Sequence, residues 1–230
     1  MSDFFRFPHT PHLAWLGEGV PRDDKVWSVA EQRAWLQHEV VVEEKLDGAN
    51  LGWSLAEDGA LRAQNRGQYL TAQPGGQFSR LAGWQAQHET GLRAVLRPEL
   101  RLFGEWCAAR HTLSYQRLPD WFLLFDVYDR AQGVFWGSAR RDALAEAAGL
   151  CTVRRMAQGK FSLANLMALL QADSPLRAGP PEGLILRQED ALVCHSRAKL
   201  VRADFSQSLQ QHWRSRTLDW NRCATDQPPH

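Results

Sequence analysis

Short apolar blocks separated by turn residues run along most of this chain, a pattern typical of strands. Residues 40–44 form a β-branched run that predicts a buried strand leading to Lys45. After the Asp47-Gly48 turn, alternating apolar residues over 51–55 predict the hairpin partner of that strand. Further strands are predicted at residues 101–108, 121–128, 133–136, 183–187, 191–195 and 198–201, with 133–136 returning along 121–128.

Helices are predicted at residues 28–37, 78–96, 139–148, 162–172 and 207–214. Ser28 with Glu31 predicts a capping box on the first, and Ser162 caps the fourth. Pro98 stops the second and Gly149 ends the third. Hairpins with segregated helices predict an α+β domain of antiparallel β-sheets with flanking helices, and not a doubly wound fold. We expect this domain at 40–205, after an N-terminal segment at 1–39 and before a short helix and polar tail at 206–230.

Composition narrows the function classes only slightly. The chain has 27 basic and 26 acidic residues, so no global field indicates a polyanionic partner, although a local basic groove remains open. No apolar run is long enough to cross a bilayer, and residues 1–7 carry charges, which predicts a cytoplasmic protein without a membrane partner. The four cysteines are widely spaced, so reduced thiols are expected. Of the ten tryptophans, three in apolar runs are expected in the core and not as base-stacking platforms: Trp53, Trp121 and Trp136.

Candidate chemistry centres on Lys45, in the string Lys45-Leu46-Asp47-Gly48-Ala49-Asn50. The chain has neither a Gly-x-x-x-x-Gly-Lys phosphate loop nor a Gly-x-Gly-x-x-Gly fingerprint, so a nucleotide would bind by another route. A lysine at a strand end in a pocket becomes a nucleophile when burial or neighbouring cations depress its pKa, and we expect this of Lys45. The alternative is a plain Asp-Gly hairpin with a solvated lysine.

Six motifs follow one another between residues 45 and 202: Lys45-x-Asp47-Gly48-x-Asn50, Asn65-Arg66-Gly67, Phe103-Gly104-Glu105-Trp106, Leu124-Phe125-Asp126-Val127-Tyr128, Glu182-Gly183-Leu184-Ile185-Leu186-Arg187 and Lys199-Leu200-Val201-Arg202. In this order they resemble the covalent nucleotidyltransferase superfamily of DNA ligases, RNA ligases and mRNA capping enzymes. The resemblance implies an ATP-grasp-like nucleotidyltransferase domain. Asn50 stands where DNA ligases and capping enzymes usually have arginine, so the chain is most similar to ATP-dependent RNA ligases of the phage RNA ligase 2 kind.

The resemblance implies a role for each matched residue. Lys45 would attack the α-phosphate of ATP and become lysyl-AMP, and Asp47 and Asn50 would serve later steps. The nucleotide-binding residues implied are Arg66 at the sugar and phosphate, Glu105 at the ribose, Phe125 on adenine, Lys199 at the α-phosphate, and Glu44 through its backbone or side chain. Glu182 would help to bind Mg²⁺ or Mn²⁺, directly or through water.

Two departures from the family pattern stand out. Val201 occupies the place of a second lysine in the last motif, and Arg197 or Arg202 is expected to replace it. Because Arg197 shares a strand face with Lys199, whereas Arg202 points the other way, Arg197 is favoured. About 25 residues follow Phe205, which are too few for an OB-type domain, so the catalytic domain or a partner is expected to hold the substrate.

The function that the resemblance implies is ATP-dependent joining of RNA 5′-phosphate and 3′-hydroxyl ends through lysyl-AMP. A separate end-processing kinase or phosphatase is a possible partner. The alternatives are DNA nick sealing or capping by the same chemistry, and a non-catalytic adapter that binds nucleotide or RNA.

Overall fold

The computed structural model describes residues 4–18, 25–208 and 218–226. Most of the helix predicted at 207–214 lies outside these ranges. The helices are Val29–Trp35 (α1), Leu81–Val95 (α2), Ser138–Ala148 (α3), Leu163–Gln171 (α4) and Ala203–Ser208 (α5), with 3₁₀ turns at Gly76–Phe78 and Ala224–Asp226. The strands are Val40–Lys45 (β1), Ala49–Leu55 (β2), Leu61–Gln64 (β3), Leu100–Trp106 (β4), Phe122–Asp129 (β5), Val134–Trp136 (β6), Cys151–Thr152 (β7), Arg155–Gly159 (β8), Gly183–Glu189 (β9) and Val193–Val201 (β10).

The helix ends follow the capping residues that the sequence predicts. Ser28 and Glu31 form the predicted capping box of α1. Ser162 caps α4 in a box completed by Asn165. Gly149 ends α3 in the left-handed region at φ 65°, which glycine adopts without strain.

Within the described ranges the strands form one sheet in the order β3-β2-β4-β5-β6-β10-β9-β1-β8, and β7 pairs with β5 in parallel. All pairings along the main path are antiparallel, which confirms the predicted α+β class. β5 and β6 form the predicted hairpin. The two strands predicted at 191–195 and 198–201 are one strand, β10, which begins at Val193. Its pairing with β9 shifts register between Cys194 and Ser196.

The predicted hairpin between β1 and β2 is wrong. β1 lies between β8 and β9, whereas β2 lies between β3 and β4. The turn at residues 46–48 carries the chain across to β4, where Gly48 lies so close that a Cβ atom would stand 2.5 Å from the Trp106 carbonyl oxygen. An Asp-Gly pair therefore marks a crossing here and not a two-residue hairpin loop, and the glycine is required by close packing.

Separate apolar clusters lie on the two halves of the sheet. One packs α2 and α3 against β2, β4 and β5 and contains Trp53 and Trp136, as predicted, with Trp121 partly buried beside it. The other packs α4 against β1, β9 and β10. Residues of the 1–39 segment join the sheet, because Leu13 donates its backbone N–H to the Lys199 carbonyl at 2.8 Å. All four cysteines are free, and no helix of the described residues is long and apolar enough to cross a membrane.

Candidate active site

A cavity of about 1400 Å³ opens at the carboxyl end of β1. Its walls include most of the residues singled out in the sequence: Glu44, Lys45, Asp47, Asn50, Arg66, Glu105, Phe125, Arg197 and Lys199. Glu182 does not line the cavity itself but reaches it through Lys45, because the Lys45 Nζ and Glu182 Oε1 atoms are 2.7 Å apart. The fold therefore brings together residues that are far apart in the chain, such as Lys45 and Lys199, which are separated by 154 positions.

Strand alternation explains which side chains face the cavity. On β1, β9 and β10, one face supplies Val42, Leu186 and Ala198 to the apolar core. The opposite face presents charged and apolar groups to the cavity: Glu43, Lys45, Ile185, Arg187, Arg197 and Lys199. Because side chains of a strand alternate between its two faces, the same three strands build both the core and the site.

Burial sets the protonation of the carboxylates around Lys45. It raises the pKa of Glu105 to about 8 and that of Glu182 to about 7, although Lys45 acts in the opposite direction on both. Burial also disfavours the ammonium ion of Lys45, but Glu182, Glu105 and Asp47 outweigh it, so the pKa of Lys45 is raised. The prediction of a depressed pKa at Lys45 is therefore wrong, because its neighbours are carboxylates and not cations.

Asp47 fixes the loop that follows β4. Its Oδ2 atom accepts hydrogen bonds from the backbone N–H groups of Thr112 (2.7 Å) and Leu113 (2.6 Å). Its own backbone N–H donates to the Tyr115 hydroxyl at 2.9 Å. The turn after Lys45 and the 109–115 loop are thus one hydrogen-bonded unit. The described contacts of Asp47 are with protein groups, so its predicted role in later steps stays a prediction.

Glu105 and Asn50 lie opposite each other on β4 and β2. Glu105 Oε1 accepts a hydrogen bond from the Gly48 N–H at 3.0 Å, which ties β4 to the turn after Lys45. Asn50 Oδ1 is buried and has no hydrogen-bond partner among the described residues. An unpaired buried amide oxygen is costly unless a ligand donates to it.

Phe125 lies at an irregularity in the pairing of β4 with β5, where Phe103 opposes Asp126 but Gly104 opposes Leu124. Its carbonyl oxygen accepts hydrogen bonds from two buried arginines, Arg141 at 2.8 Å and Arg187 at 3.3 Å. Such a bulge turns a side chain out of the regular pleat. Phe125 is half-buried in the cavity wall, together with the apolar residues Val153 and Ile185.

The structure separates the two arginines that could replace the missing lysine. Arg197 lines the cavity with Lys199, pairs with Asp126 and lies over the Phe135 ring at 4.0 Å. Arg202 lies outside the cavity lining and pairs with Asp204. Val201 is buried. The strand-face argument therefore places Arg197 correctly in the cavity.

Two further predicted residues differ in how they face the cavity. Arg66 is an exposed side chain on the loop after β3, and Asn65 shapes that loop by accepting from the Gly67 (2.8 Å) and Gln68 (2.9 Å) N–H groups. Glu44 turns its carboxylate away from the Lys45 face and accepts a hydrogen bond from the Ser174 hydroxyl at 2.6 Å. Burial raises the pKa of Glu44 despite that bond. Of the two contacts left open for Glu44, this geometry favours the one through its backbone.

The family model described as RNA ligase matches residues 38–201, which is most of the chain. The chain belongs to the RNA ligase family. Comparison with curated proteins finds no match.

Solved RNA ligases share this fold. A Naegleria gruberi RNA ligase with PPi aligns with a TM-score of 0.65 at 16% identity, over 92% of this chain and 60% of that chain. A mutant of the same ligase with ATP and Mn aligns with a TM-score of 0.64 at 14% identity, over 91% of this chain and 59% of that chain. An archaeal ATP-dependent RNA ligase aligns with a TM-score of 0.58 at 18% identity, over 89% of this chain and 50% of that chain. The chain thus spans about 60% of the length of the Naegleria ligase.

Sequence reasoning assigned no role to several residues of the candidate site. Glu43, Arg141 and Arg187 form a buried ionic network with Asp126 behind Phe125. Asp126 and Arg187 stand in two of the six motifs but received no role of their own. Glu43 on β1 and Arg141 on α3 gave no signal, because charged residues are more often exposed. His111 lines the cavity, and its Nε2 lies 2.7 Å from Gln77 Oε1. A lone histidine in a loop gave no reason to single it out.

The donor set of the candidate site suits a metal ion that is held mainly by phosphate oxygens and water and by few protein groups. Among the described residues there is no group of three or more His, Cys, Asp or Glu side chains that could hold an ion. Glu182 is one buried carboxylate beside Lys45. Mg²⁺ characteristically uses one or two carboxylates plus phosphate oxygens and water, so Glu182 fits this kind of site and an all-protein cage does not.

Proposed function

We propose that this protein is an ATP-dependent RNA ligase that works through a lysyl-AMP intermediate on Lys45. The observation that carries the proposal is the Lys45 Nζ to Glu182 Oε1 contact of 2.7 Å, made at the edge of a cavity large enough for a nucleotide. The solved ligases of this fold with ATP and Mn and with PPi support ATP and a divalent metal as cofactors, and pyrophosphate as a ligand, for this chain as well.

In the first step Lys45 Nζ attacks the α-phosphorus of ATP. An N–P bond forms, the P–O bond to pyrophosphate breaks, and pyrophosphate leaves with the electron pair. The attacking amine must lose a proton, and Glu182 is in hydrogen-bonding contact to take it. Because burial raises the pKa of Glu182 to about 7, this carboxylate is a better proton acceptor than an ordinary glutamate.

ATP would lie along the cavity face of β1, β5, β9 and β10. Phe125 stacks on adenine, with Val153 and Ile185 completing an apolar slot. Lys199 and Arg197 neutralise the phosphates from β10. Glu105 and Arg66 hold the ribose and the outer phosphate side as the family resemblance implies.

A divalent cation, Mg²⁺ or Mn²⁺, would be held by phosphate oxygens and water, with Glu182 reaching it through one of these waters and keeping its carboxylate for the Lys45 proton. When bound, it supplies positive charge that neutralises the phosphates and favours the uncharged amine of Lys45. Three carboxylates raise the pKa of Lys45. The positive charge of the cation would act against this increase and so favour the amine that attacks the phosphorus.

Two further steps complete the joining reaction. The RNA 5′-phosphate attacks lysyl-AMP and releases Lys45, giving an adenylylated RNA end, and the 3′-hydroxyl then displaces AMP. Asn50 and Asp47 are proposed to act in these steps, and the unpartnered Asn50 Oδ1 is available to a ligand donor such as a ribose hydroxyl. RNA ends of other chemistry would need a separate kinase or phosphatase first.

Self-adenylylation tests this proposal. The protein is incubated with ATP labelled at the α-phosphate and with Mg²⁺ or Mn²⁺, and covalent label is followed. Wild type and Lys160→Ala, which changes an exposed lysine outside the main cavity, are expected to carry label, whereas Lys45→Ala carries none. Glu182→Gln is expected to slow labelling by about 100-fold, because a proton acceptor is lost.

The polynucleotide specificity needs its own measurement. Sealing is compared on nicked duplexes with RNA or DNA on each side of the nick, and on single-stranded RNA. An RNA 3′-hydroxyl end is expected to be joined. Equal or faster sealing of all-DNA nicks would instead support DNA repair by the same chemistry, and label without any sealing would support the adapter hypothesis.

A further inference from the structure

The cavity is larger than one nucleotide requires. Ligand pockets usually enclose about 300–1,000 Å³, and this cavity measures about 1400 Å³. One part of its wall is the strand face proposed above to hold ATP. Much of the remaining wall comes from segments without a proposed nucleotide role, and three of these are residues 75–78, residues 109–112 and residues 218–219. We refer to these three segments as the loop wall.

His111 is the titratable ring of the loop wall. It is half-buried, and Asp47 and Lys45 are close enough to shift its pKa in opposite directions. The loop that carries it cannot drift from the nucleophile, because Asp47 binds the N–H groups of Thr112 and Leu113. His111 is therefore held in a fixed relation to Lys45.

Gln77 sets the orientation and tautomer of this ring. His111 Nε2 lies 2.7 Å from Gln77 Oε1, and an amide oxygen only accepts hydrogen bonds, so Nε2 carries the proton. The lone pair of the neutral ring is then on Nδ1, and the hydrogen bond that His111 makes among the described residues is the one at Nε2. Burial lowers the pKa of His111, which keeps the ring neutral near pH 7. A histidine oriented by one polar partner, with its other nitrogen open, is arranged as a general base.

We propose that His111 is the general base of the sealing step, accepting the proton of the RNA 3′-hydroxyl at Nδ1. This rests on the proposed function above. In phosphoryl transfer the attacking and leaving oxygens are roughly in line across the phosphorus. In this scheme AMP leaves into the strand face that holds Phe125, and the attacking hydroxyl approaches beside the loop wall, which belongs to the same cavity lining.

The step balances without a further reactant. The 3′-oxygen forms a bond to the phosphorus of the adenylylated 5′-end, and the P–O bond to AMP breaks with its electron pair on AMP. The hydroxyl proton passes to His111 Nδ1 and then to solvent. Gln77 acts through His111 and is a positioning residue in this scheme.

The sealing step is isolated by supplying RNA that already carries a 5′-adenylyl group, without ATP. His111→Ala is expected to reduce the single-turnover sealing rate by about 100-fold, while the KM for the 3′-hydroxyl strand changes little. Self-adenylylation of Lys45 by His111→Ala is expected to match wild type. Added imidazole is expected to restore part of the sealing rate, which a purely structural defect would not allow.

Two further variants show whether a loss of sealing is specific to His111. His195→Ala removes an exposed histidine outside the main cavity and is expected to seal like wild type. Gln77→Ala is expected to reduce sealing less than His111→Ala. If wild type adenylylates Lys45 and His111→Ala seals adenylylated RNA at the wild-type rate, the role of His111 is refuted and the proposed function stands. If wild type forms no lysyl-AMP, the proposed function itself fails.

Discussion

Asn221, near the carboxyl end of the described chain, accepts a hydrogen bond at Oδ1 from the Tyr115 backbone N–H at 2.9 Å. Its Nδ2 donates to the carbonyl oxygens of Cys107 (2.7 Å) and Ala109 (3.3 Å), so one side chain joins both ends of the loop after β4. Tyr115 in turn accepts from the Asp47 N–H. A residue 176 positions after Lys45 is therefore linked by hydrogen bonds through Tyr115 to the turn that follows Lys45.

Asn221→Leu is expected to disturb this turn. Each buried backbone group left without a partner costs about 1–3 kcal/mol, so the free energy of unfolding falls accordingly. The adenylylation rate is expected to fall by about 10-fold with little change in the KM for ATP, because the turn and not the nucleotide slot is loosened. Chemical denaturation and single-turnover labelling measure the two effects. Arg222→Ala, which changes an exposed neighbour, is the control. Unchanged labelling in Asn221→Leu would show that the turn is held by other contacts.

Stability is expected to fall as the pH rises. Burial raises the pKa of Glu182 to about 7 and that of Glu105 to about 8, from 4.5. The folded protein therefore binds more protons than the unfolded chain between pH 4.5 and about 8. The stabilisation is complete below pH 4.5 and is lost as the pH rises through these raised values.

Glu105→Gln separates this effect from general pH sensitivity. A glutamine oxygen still accepts from the Gly48 N–H but does not ionise. The loss of thermal stability between about pH 5.5 and pH 8.5 is expected to be smaller in Glu105→Gln than in wild type. An identical loss in both proteins would contradict the raised pKa of Glu105.

Phe125→Leu is expected to weaken ATP binding. Stacking of a base on an aromatic ring contributes about 1–3 kcal/mol, so the KM for ATP in self-adenylylation is expected to rise by about 10-fold or more. The Phe125 carbonyl keeps its hydrogen bonds to Arg141 and Arg187 in this variant, so the fold is retained. An unchanged KM would place adenine elsewhere in the cavity.

Arg197 and Arg202 offer a matched comparison. Arg197→Ala removes a cation from the cavity wall and is expected to slow adenylylation by about 10-fold to 100-fold. Arg202→Ala changes a residue outside the cavity lining and is expected to have little effect on the rate. The reverse order would show that Arg202 supplies the cation missing at Val201. Asp126→Asn, which weakens the Arg197 ion pair, tests whether that pair positions the guanidinium.

The sequence predicts where helices and strands form better than it predicts which strands pair with each other in the sheet. Caps at Ser28 and Ser162 and the turn at Gly149 are local signals, and the corresponding helices form. The pairing of β1 with β8 and β9 depends on contacts far apart in the chain, and an Asp-Gly turn suggested the wrong partner. Arg155–Gly159, which forms β8 at the edge of the sheet, has no alternating pattern, because the neighbouring residues Met156 and Ala157 both pack against the core.

In the candidate site, likewise, the sequence predicts which residues meet better than it predicts their interactions. Motif order identified the residues around Lys45, because those motifs carry chemistry that the sequence displays directly. The electrostatics did not follow from the motifs, since the carboxylates that raise the pKa of Lys45 meet it only through folding. His111 and Asn221 were missed for a similar reason, because their importance lies in hydrogen bonds to Gln77 and Tyr115.

Peptide mapping of the covalent adduct tests the central claim most directly. The protein is incubated with ATP and Mg²⁺, digested, and analysed by mass spectrometry for peptides that gain one adenylyl group. The account predicts a single modified peptide in which Lys45 carries the adenylyl group, absent from Lys45→Ala and unaffected in Lys160→Ala. An adenylyl group on any other residue, or none on folded wild-type protein with either Mg²⁺ or Mn²⁺, would contradict it.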